Sequence, residues 1–239
     1  MTANPRRHCR PAQCSALLAA LILLGPGALA APAGEVTHVS GALVLRKADG
    51  STKIIAPKSQ VEAGDLLATA TDTYARVKFT DGGEVTLRPN TQLRIDMFNF
   101  EQNASGKDSA IFSLLKGGLR TITGLVGKRK QNSYEMRTTV ATIGIRGTNY
   151  GLLLCQDDCQ SVTNNEGKVP TNGLHLDVAD GIISVTNQGA EVLLSAGQFG
   201  YVKSFTTPAT TVPPGQGGTN NMPGFGGPPT GNNAECAVQ

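Results

Sequence analysis

The sequence predicts an all-β protein whose folded part is one antiparallel sandwich, and three observations carry that expectation. Two-residue turn signals recur at intervals of roughly 8–12 residues between Gly34 and Phe205, the spacing of a sandwich or barrel. The runs between them alternate apolar and polar residues. No segment of helical length repeats its apolar residues at a period of 3.6. Composition agrees: there are 29 Gly, aromatics are 5 %, Trp is absent, and charged residues are 16 %, against roughly 25 % in ordinary soluble domains.

Taken in order, Gly34 to Arg46 reads as β sequence closed by the hairpin signal Asp49-Gly50. Lys53 to Ile55 and Val61 to Ala70 follow, the latter around Gly64-Asp65. Tyr74 to Phe79 alternates cleanly and turns at Asp81-Gly82-Gly83. Val85 to Arg88 and Leu93 to Asp96 flank Pro89-Asn90, and Arg76, Lys78, Arg88 and Arg94 fall at the polar phase, which predicts a solvated outer face. Phe98 to Ser109 reads as a polar connection. Lys116-Gly117-Gly118, the stretch Gly124 to Asn132, and Asp180-Gly181 read as turns. Tyr134 to Tyr150 is β-prone, with Gly144 and Gly147 as bulges or close approaches. After an irregular insert at 160–173, the runs from Leu174 to Lys203 complete the domain, with Asn187-Gln188-Gly189 as another turn. Val61 to Leu67 and Leu194 to Gly200 echo each other, which suggests related corners of one sheet system.

The two ends differ from this region. Arg6, Arg7 and Arg10 precede the apolar run Ala16 to Leu24, then Gly25-Pro26 and the small-x-small triplet Ala28-Leu29-Ala30. This is the pattern of a secretory signal peptide over residues 1–30, cut after Ala30. The apolar run is about half of the roughly 20 residues a spanning helix needs, so no membrane span is expected once the signal is removed. Residues 206–239 are rich in Pro, Gly, Thr and Asn, with too few apolar side chains to offset the entropy of ordering, and read as a disordered tail. The folded domain is therefore expected over 34–205.

Charge excludes one class of partner. The precursor carries 21 basic and 18 acidic residues. Three basic residues and no acidic ones lie in the signal, so the mature chain is formally neutral. No nucleic-acid partner is expected, and Lys128-Arg129-Lys130 reads as a solvated turn. Cys155 and Cys159 bracket a short polar turn, and in an oxidising compartment a local disulfide is the natural outcome. A zinc site lacks further ligands around them, and a redox pair would more usually be Cys-x-x-Cys ahead of a helix. Cys236 is left over.

Several marks in order resemble the FecR domain. They are Gly34-Glu35-Val36 with Gly41, the run Val61 to Thr69, Ala75 to Gly83, Val85 to Thr91, Lys116 to Leu119, Thr139 to Tyr150, Asp180-Gly181 and Ser195 to Gln198. Arg146-Gly147-Thr148 is the most specific of them. The resemblance implies a jelly-roll-like sandwich in the periplasm. In the iron-transport regulators of that family the domain lies between an anti-sigma segment with its membrane helix and a transporter-contacting domain. This chain departs from that plan at both ends, so the sigma-factor role is not expected to carry over, and a binding or relay role within the envelope is. For Arg146 two roles stand open: a buried pivot bonding carbonyls at a bulge, or a partner for a ligand carboxylate.

No catalytic, cofactor or metal site is expected, because no nucleophile motif, phosphate loop or ligand cluster occurs. Two functions remain. One is a periplasmic or secreted interaction module for an envelope protein partner. The other is a glycan- or cell-wall-binding module, for which Tyr134, Tyr150 and Tyr201 are the available aromatic platforms.

Overall fold

Period-two alternation places one side of each strand on a shared interior: in Ala75–Phe79, Ala75, Val77 and Phe79 are buried while Lys78 faces water. The computed structural model describes Met1 and residues 31–214 apart from 104 and 165, so the signal peptide and the tail beyond 214 lie outside the described residues. The strands are β1 (Gly34–Val39), β2 (Leu43–Arg46), β3 (Thr52–Ile55), β4 (Gln60–Val61), β5 (Leu66–Thr69), β6 (Ala75–Phe79), β7 (Glu84–Leu87), β8 (Gln92–Asn99), β9 (Ser109–Ile122), β10 (Tyr134–Arg137), β11 (Thr142–Cys155), β12 (Gly173–Thr186), β13 (Glu191–Ser195), β14 (Phe199–Val202) and β15 (Thr210–Val212). A one-turn helix, α1 (Leu125–Arg129), follows β9. No helix among the described residues is long and apolar enough to cross a membrane.

Three strands of 14 residues each, β9, β11 and β12, organise the rest. Each changes partners halfway along. Residues 109–116 of β9 lie between β8 and β10, whereas 117–122 pair with β7 and β11. The early part of β11 pairs with β10 and its later part with β9. The early part of β12 pairs with β14 and its later part with β13. The result is two leaves joined through three shared strands. The first runs β3-β2-β5-β8-β9-β10-β11-β12-β13 and the second β4-β1-β6-β7-β9-β11-β12-β14-β15. All pairings are antiparallel except β9 with β10. Side chains from both leaves, among them Leu43, Leu67, Phe112 and Ile143 from the first and Val77, Leu119, Leu152 and Leu176 from the second, form one apolar core. The predicted all-β sandwich is the observed fold.

The crossing points are glycines with left-handed backbones: Gly117 (φ 76°), Gly147 (φ 61°) and Gly181 (φ 79°). Two of them, in Lys116-Gly117-Gly118 and Asp180-Gly181, were expected to be turns, and that expectation is corrected here. A positive-φ glycine inside a strand makes a bulge that bends the ladder, and its local signal matches that of a hairpin. A Cβ at Gly181 would stand 2.5 Å from the Gly147 carbonyl oxygen, and one at Gly117 would stand 2.6 Å from Thr91 Oγ1.

Other readings also change. The expected turn at Gly124 to Asn132 contains α1, whose free amides are met by a distant residue. Asp81 accepts from Leu125 N through its carbonyl (2.9 Å) and from Val126 N through its carboxylate (3.2 Å). The Phe98 to Ser109 connection is shorter than expected, because β8 and β9 take its two ends. The sheet also continues past Phe205: β15 pairs with β14, and Ala209 joins the core. The two echoing segments form the same turn. Asp65 N bonds Glu62 O (3.2 Å) and Gln198 N bonds Ser195 O (3.0 Å), with left-handed Gly64 and Gly197 at the third position.

Candidate functional site

An antiparallel sheet that does not close leaves strands with one unpaired side, and such an edge is where another chain can add a strand. Four edges occur here among the described residues. β4 has two residues, β15 three and β3 four, and β3 carries Lys53. β13 is the longest at five residues, reads EVLLS, and pairs with β12 alone among the described residues. Its hairpin is firmly seated: Asn187 Oδ1 accepts from Gly189 N (2.9 Å), and its Nδ2 donates to Thr207 O (2.7 Å). Alternation buries Leu194 and turns Leu193 outward, 56 % exposed.

The outer surface beside β13 is dented. Gly144, Ser184 and Leu193 lie abreast on β11, β12 and β13. A Cβ at Gly144 would approach Ser184 Oγ to 2.7 Å. The hollow of about 110 Å³ left there is bordered by Arg146, Ile182 and Glu191. Arg146 is exposed, and its side chain makes no hydrogen bond or ion pair among the described residues. The buried-pivot reading of Arg146 therefore does not hold. The pivot is its two neighbours. Gly147 supplies the left-handed backbone, and Thr148, buried, donates its N–H to Thr123 Oγ1 (2.9 Å) while its carbonyl accepts from Thr123 N (3.0 Å).

Cys155 and Cys159 are disulfide-bonded. With Leu153 and Val162 they form a small second core on the outer side of the second leaf. The two aspartates of this turn diverge: Asp157 engages the Asn172 amide (2.7 Å), and Asp158 approaches Lys116 Nζ (3.6 Å). No cluster of three His, Cys, Asp or Glu arranged to hold a metal occurs among the described residues.

Two of the three candidate sugar platforms are inside the protein. Tyr134 and Tyr150 are buried with their hydroxyls 2.9 Å apart. Burial pushes the Tyr134 phenol up to about 12 and holds the Tyr150 phenol well above the ordinary phenol value. Tyr201 is half-buried, stacks near the His175 ring at 5.0 Å, and donates to Asn172 O.

Arg88 was expected on the solvated face with Arg76, Lys78 and Arg94. Lys78 and Arg94 are exposed, but Arg88 is only 6 % exposed. It lines a concavity together with the cystine turn, some seventy residues later, a neighbourhood that no local signal could have indicated.

Residues 65–170 match the family model described as FecR protein. Two crystal structures of a proposed anti-sigma factor from Parabacteroides distasonis ATCC 8503 are similar in fold, at 13 % identity and a TM-score of 0.45. The similarity covers 62 % of this chain and 59 % of that one, less than two thirds of its length. No curated protein matches the sequence.

Proposed function

We propose, with a FecR-type domain over residues 65–170 as the premise, that this chain is a non-catalytic interaction and signal-relay module of the bacterial envelope. In this reading it acts in the periplasm or is secreted, after removal of the signal peptide, and its partner is an envelope protein. The observation that carries the reading is β13, the longest edge strand among the described residues and one without a lysine or proline to blunt it. A partner strand laid along β13 gains main-chain hydrogen bonds, while Leu193 and the Gly144 hollow receive its side chains. Arg146, on the rim of that hollow, supplies a cation for an acidic residue of the partner. Export is supported by the Cys155–Cys159 disulfide, which persists where the compartment is oxidising.

The test places a photo-crosslinking amino acid at position 193 and, as a control, at position 78 on the other leaf, in cells producing the whole precursor. The expected result is a discrete protein adduct from 193 alone, weakened by Arg146→Glu, in a periplasmic or secreted fraction whose N-terminus begins after Ala30. The glycan alternative loses support with Tyr134 and Tyr150 buried. Retention on polysaccharide with no adduct at 193 would overturn the protein-partner reading.

A further inference from the structure

The connection from β8 to β9 carries a motif that the β13 edge does not use. Glu101-Gln102-Asn103-Ala104-Ser105 contains the one Asn-x-Ser/Thr triplet in the sequence, and its middle residue is not proline. Such a triplet is the acceptor of N-linked glycosylation, a modification of surface loops in exported proteins. Bacterial acceptors extend it with an acidic residue two positions ahead of the asparagine, which is the place of Glu101.

The loop is built as an acceptor requires. A side-chain amide is a poor nucleophile, because its nitrogen lone pair is shared with the carbonyl as in a peptide bond. A transferase must therefore grip the asparagine and twist its amide, which needs a segment outside any ladder and open to solvent. Asn103 lies in a turn between the last residue of β8, Asn99, and the first of β9, Ser109. Glu101, Gln102 and Asn103 are all exposed. Among the described residues the Asn103 side chain makes no hydrogen bond and the Glu101 carboxylate no ion pair. A Cβ at Gly106 would meet nothing within 4 Å, so space beside the turn is open.

The base of the loop, by contrast, is fastened on both sides. Arg129 donates to Glu101 O (3.1 Å), Gln102 O (2.9 Å) and the Asp108 carboxylate (3.0 Å), and stands over the Phe100 ring at 5.1 Å. Glu101 N donates to Asp108 (3.1 Å), and Asn99 Nδ2 donates to Lys107 O (2.9 Å). Arg129, from the basic run expected to be a solvated turn, thus holds the loop in place and leaves Asn103 unbonded.

We infer that Asn103 is the acceptor of an N-linked oligosaccharide added after export. Asn103 Nδ2 forms a bond to the anomeric carbon of the first sugar, and that carbon's bond to oxygen breaks in a polyprenyl diphosphate-linked oligosaccharide. The polyprenyl diphosphate leaves with the electron pair, and the displaced amide proton passes to a base of the transferase. The inference rests on the reading that the chain is exported and is independent of the partner at β13.

The experiment purifies the exported chain from its native cells for intact-mass and peptide mass spectrometry. A gain of one oligosaccharide is expected on the peptide spanning Asn103, lost in Asn103→Gln and Ser105→Ala and kept in Ser105→Thr. Glu101→Gln is expected to lower the occupied fraction with an unchanged urea midpoint. The purified folded chain is also given to a bacterial oligosaccharyltransferase with its polyprenyl diphosphate-linked oligosaccharide, where the same gain at Asn103 is expected. Glycosylation there of a chain that cells do not export would overturn the export reading and uphold the acceptor. An exported chain with no sugar at Asn103, refusal of the folded chain by the transferase, or modification that survives Ser105→Ala would each overturn the inference.

Discussion

Replacing Gly181 with alanine tests whether the bends in the long strands hold the two leaves together. Two costs add at this position. A left-handed backbone disfavours an L-side chain by roughly 1–2 kcal/mol, and Gly181 sits at φ 79°. The new methyl would also stand 2.5 Å from the Gly147 carbonyl and 2.8 Å from Thr148 Cγ2, with backbone on one side and a buried side chain on the other. Such overpacking typically costs about 1–3 kcal/mol. Gly181→Ala is therefore expected to lose roughly 2–5 kcal/mol. Two controls separate the terms. A methyl added at Gly50, at φ 85°, would have nothing within 4 Å, and one at Gly147, at φ 61°, would meet only Lys128 Cγ at 3.8 Å. Alanine at either should cost the backbone term alone, about 1–2 kcal/mol. Urea unfolding of the purified chain, read as a shift in midpoint at constant slope, ranks the three. If Gly181→Ala falls within about 0.5 kcal/mol of Gly50→Ala, the two bends do not press on each other and the account of the crossing is wrong.

The buried tyrosine pair predicts an alkaline limit. Both phenols titrate above the ordinary value of 10 when folded, so the unfolded chain loses protons first. Stability is full below about pH 10 and falls from there upward. Replacing both Tyr134 and Tyr150 with phenylalanine should flatten that fall in unfolding curves recorded from about pH 9 to 12, the range around the phenol values. His175 predicts the opposite limb: burial lowers its affinity for a proton against the opposing bond to Thr171 O. Its contribution is present above about pH 6.5 and lost as pH falls. His175→Gln should blunt the loss of thermal stability between about pH 7 and 5, and an unchanged slope would refute this. Asp81→Ala removes the acceptor of Gly83 N (2.9 Å) and Val126 N. It should cost about 1–2 kcal/mol, with Asp81→Asn milder. Hydrogen exchange localised to α1 is the check.

Local patterns made the strands legible, and their junctions were not. Ala75 to Phe79 could be placed because its alternation is a property of five neighbouring residues. Gly117 and Gly181 were misread because a bulge and a turn draw on the same conformational freedom of glycine. What separates them is whether the flanking residues keep a continuous ladder, and that depends on strands far along the chain. The disulfide could be read from four-residue spacing and compartment. The burial of Arg88 could not, since its surroundings include residues as distant along the chain as Gly118 and Cys159. Arg146 stood out as a marked position, and its outward direction follows from the alternation of β11, in which Ile143 and Ile145 are buried while Gly144 and Arg146 lie on the face of the hollow beside Ser184.

The crossing strands bear on how this molecule can be divided. The span 65–170 includes β9, β10 and β11 but excludes β12, which pairs with both halves of β11. It also excludes β1, which covers β6. A fragment cut to those limits would expose long flanks of β11 and β6 to solvent, with no side chains from β12 or β14 to close the interior. The stretch that sequence comparison isolates is thus a recognisable part, not an autonomous folding unit. Excision at 65 and 170 is expected to yield aggregation-prone chain, whereas a nick at the 187–189 hairpin would leave the pieces held together.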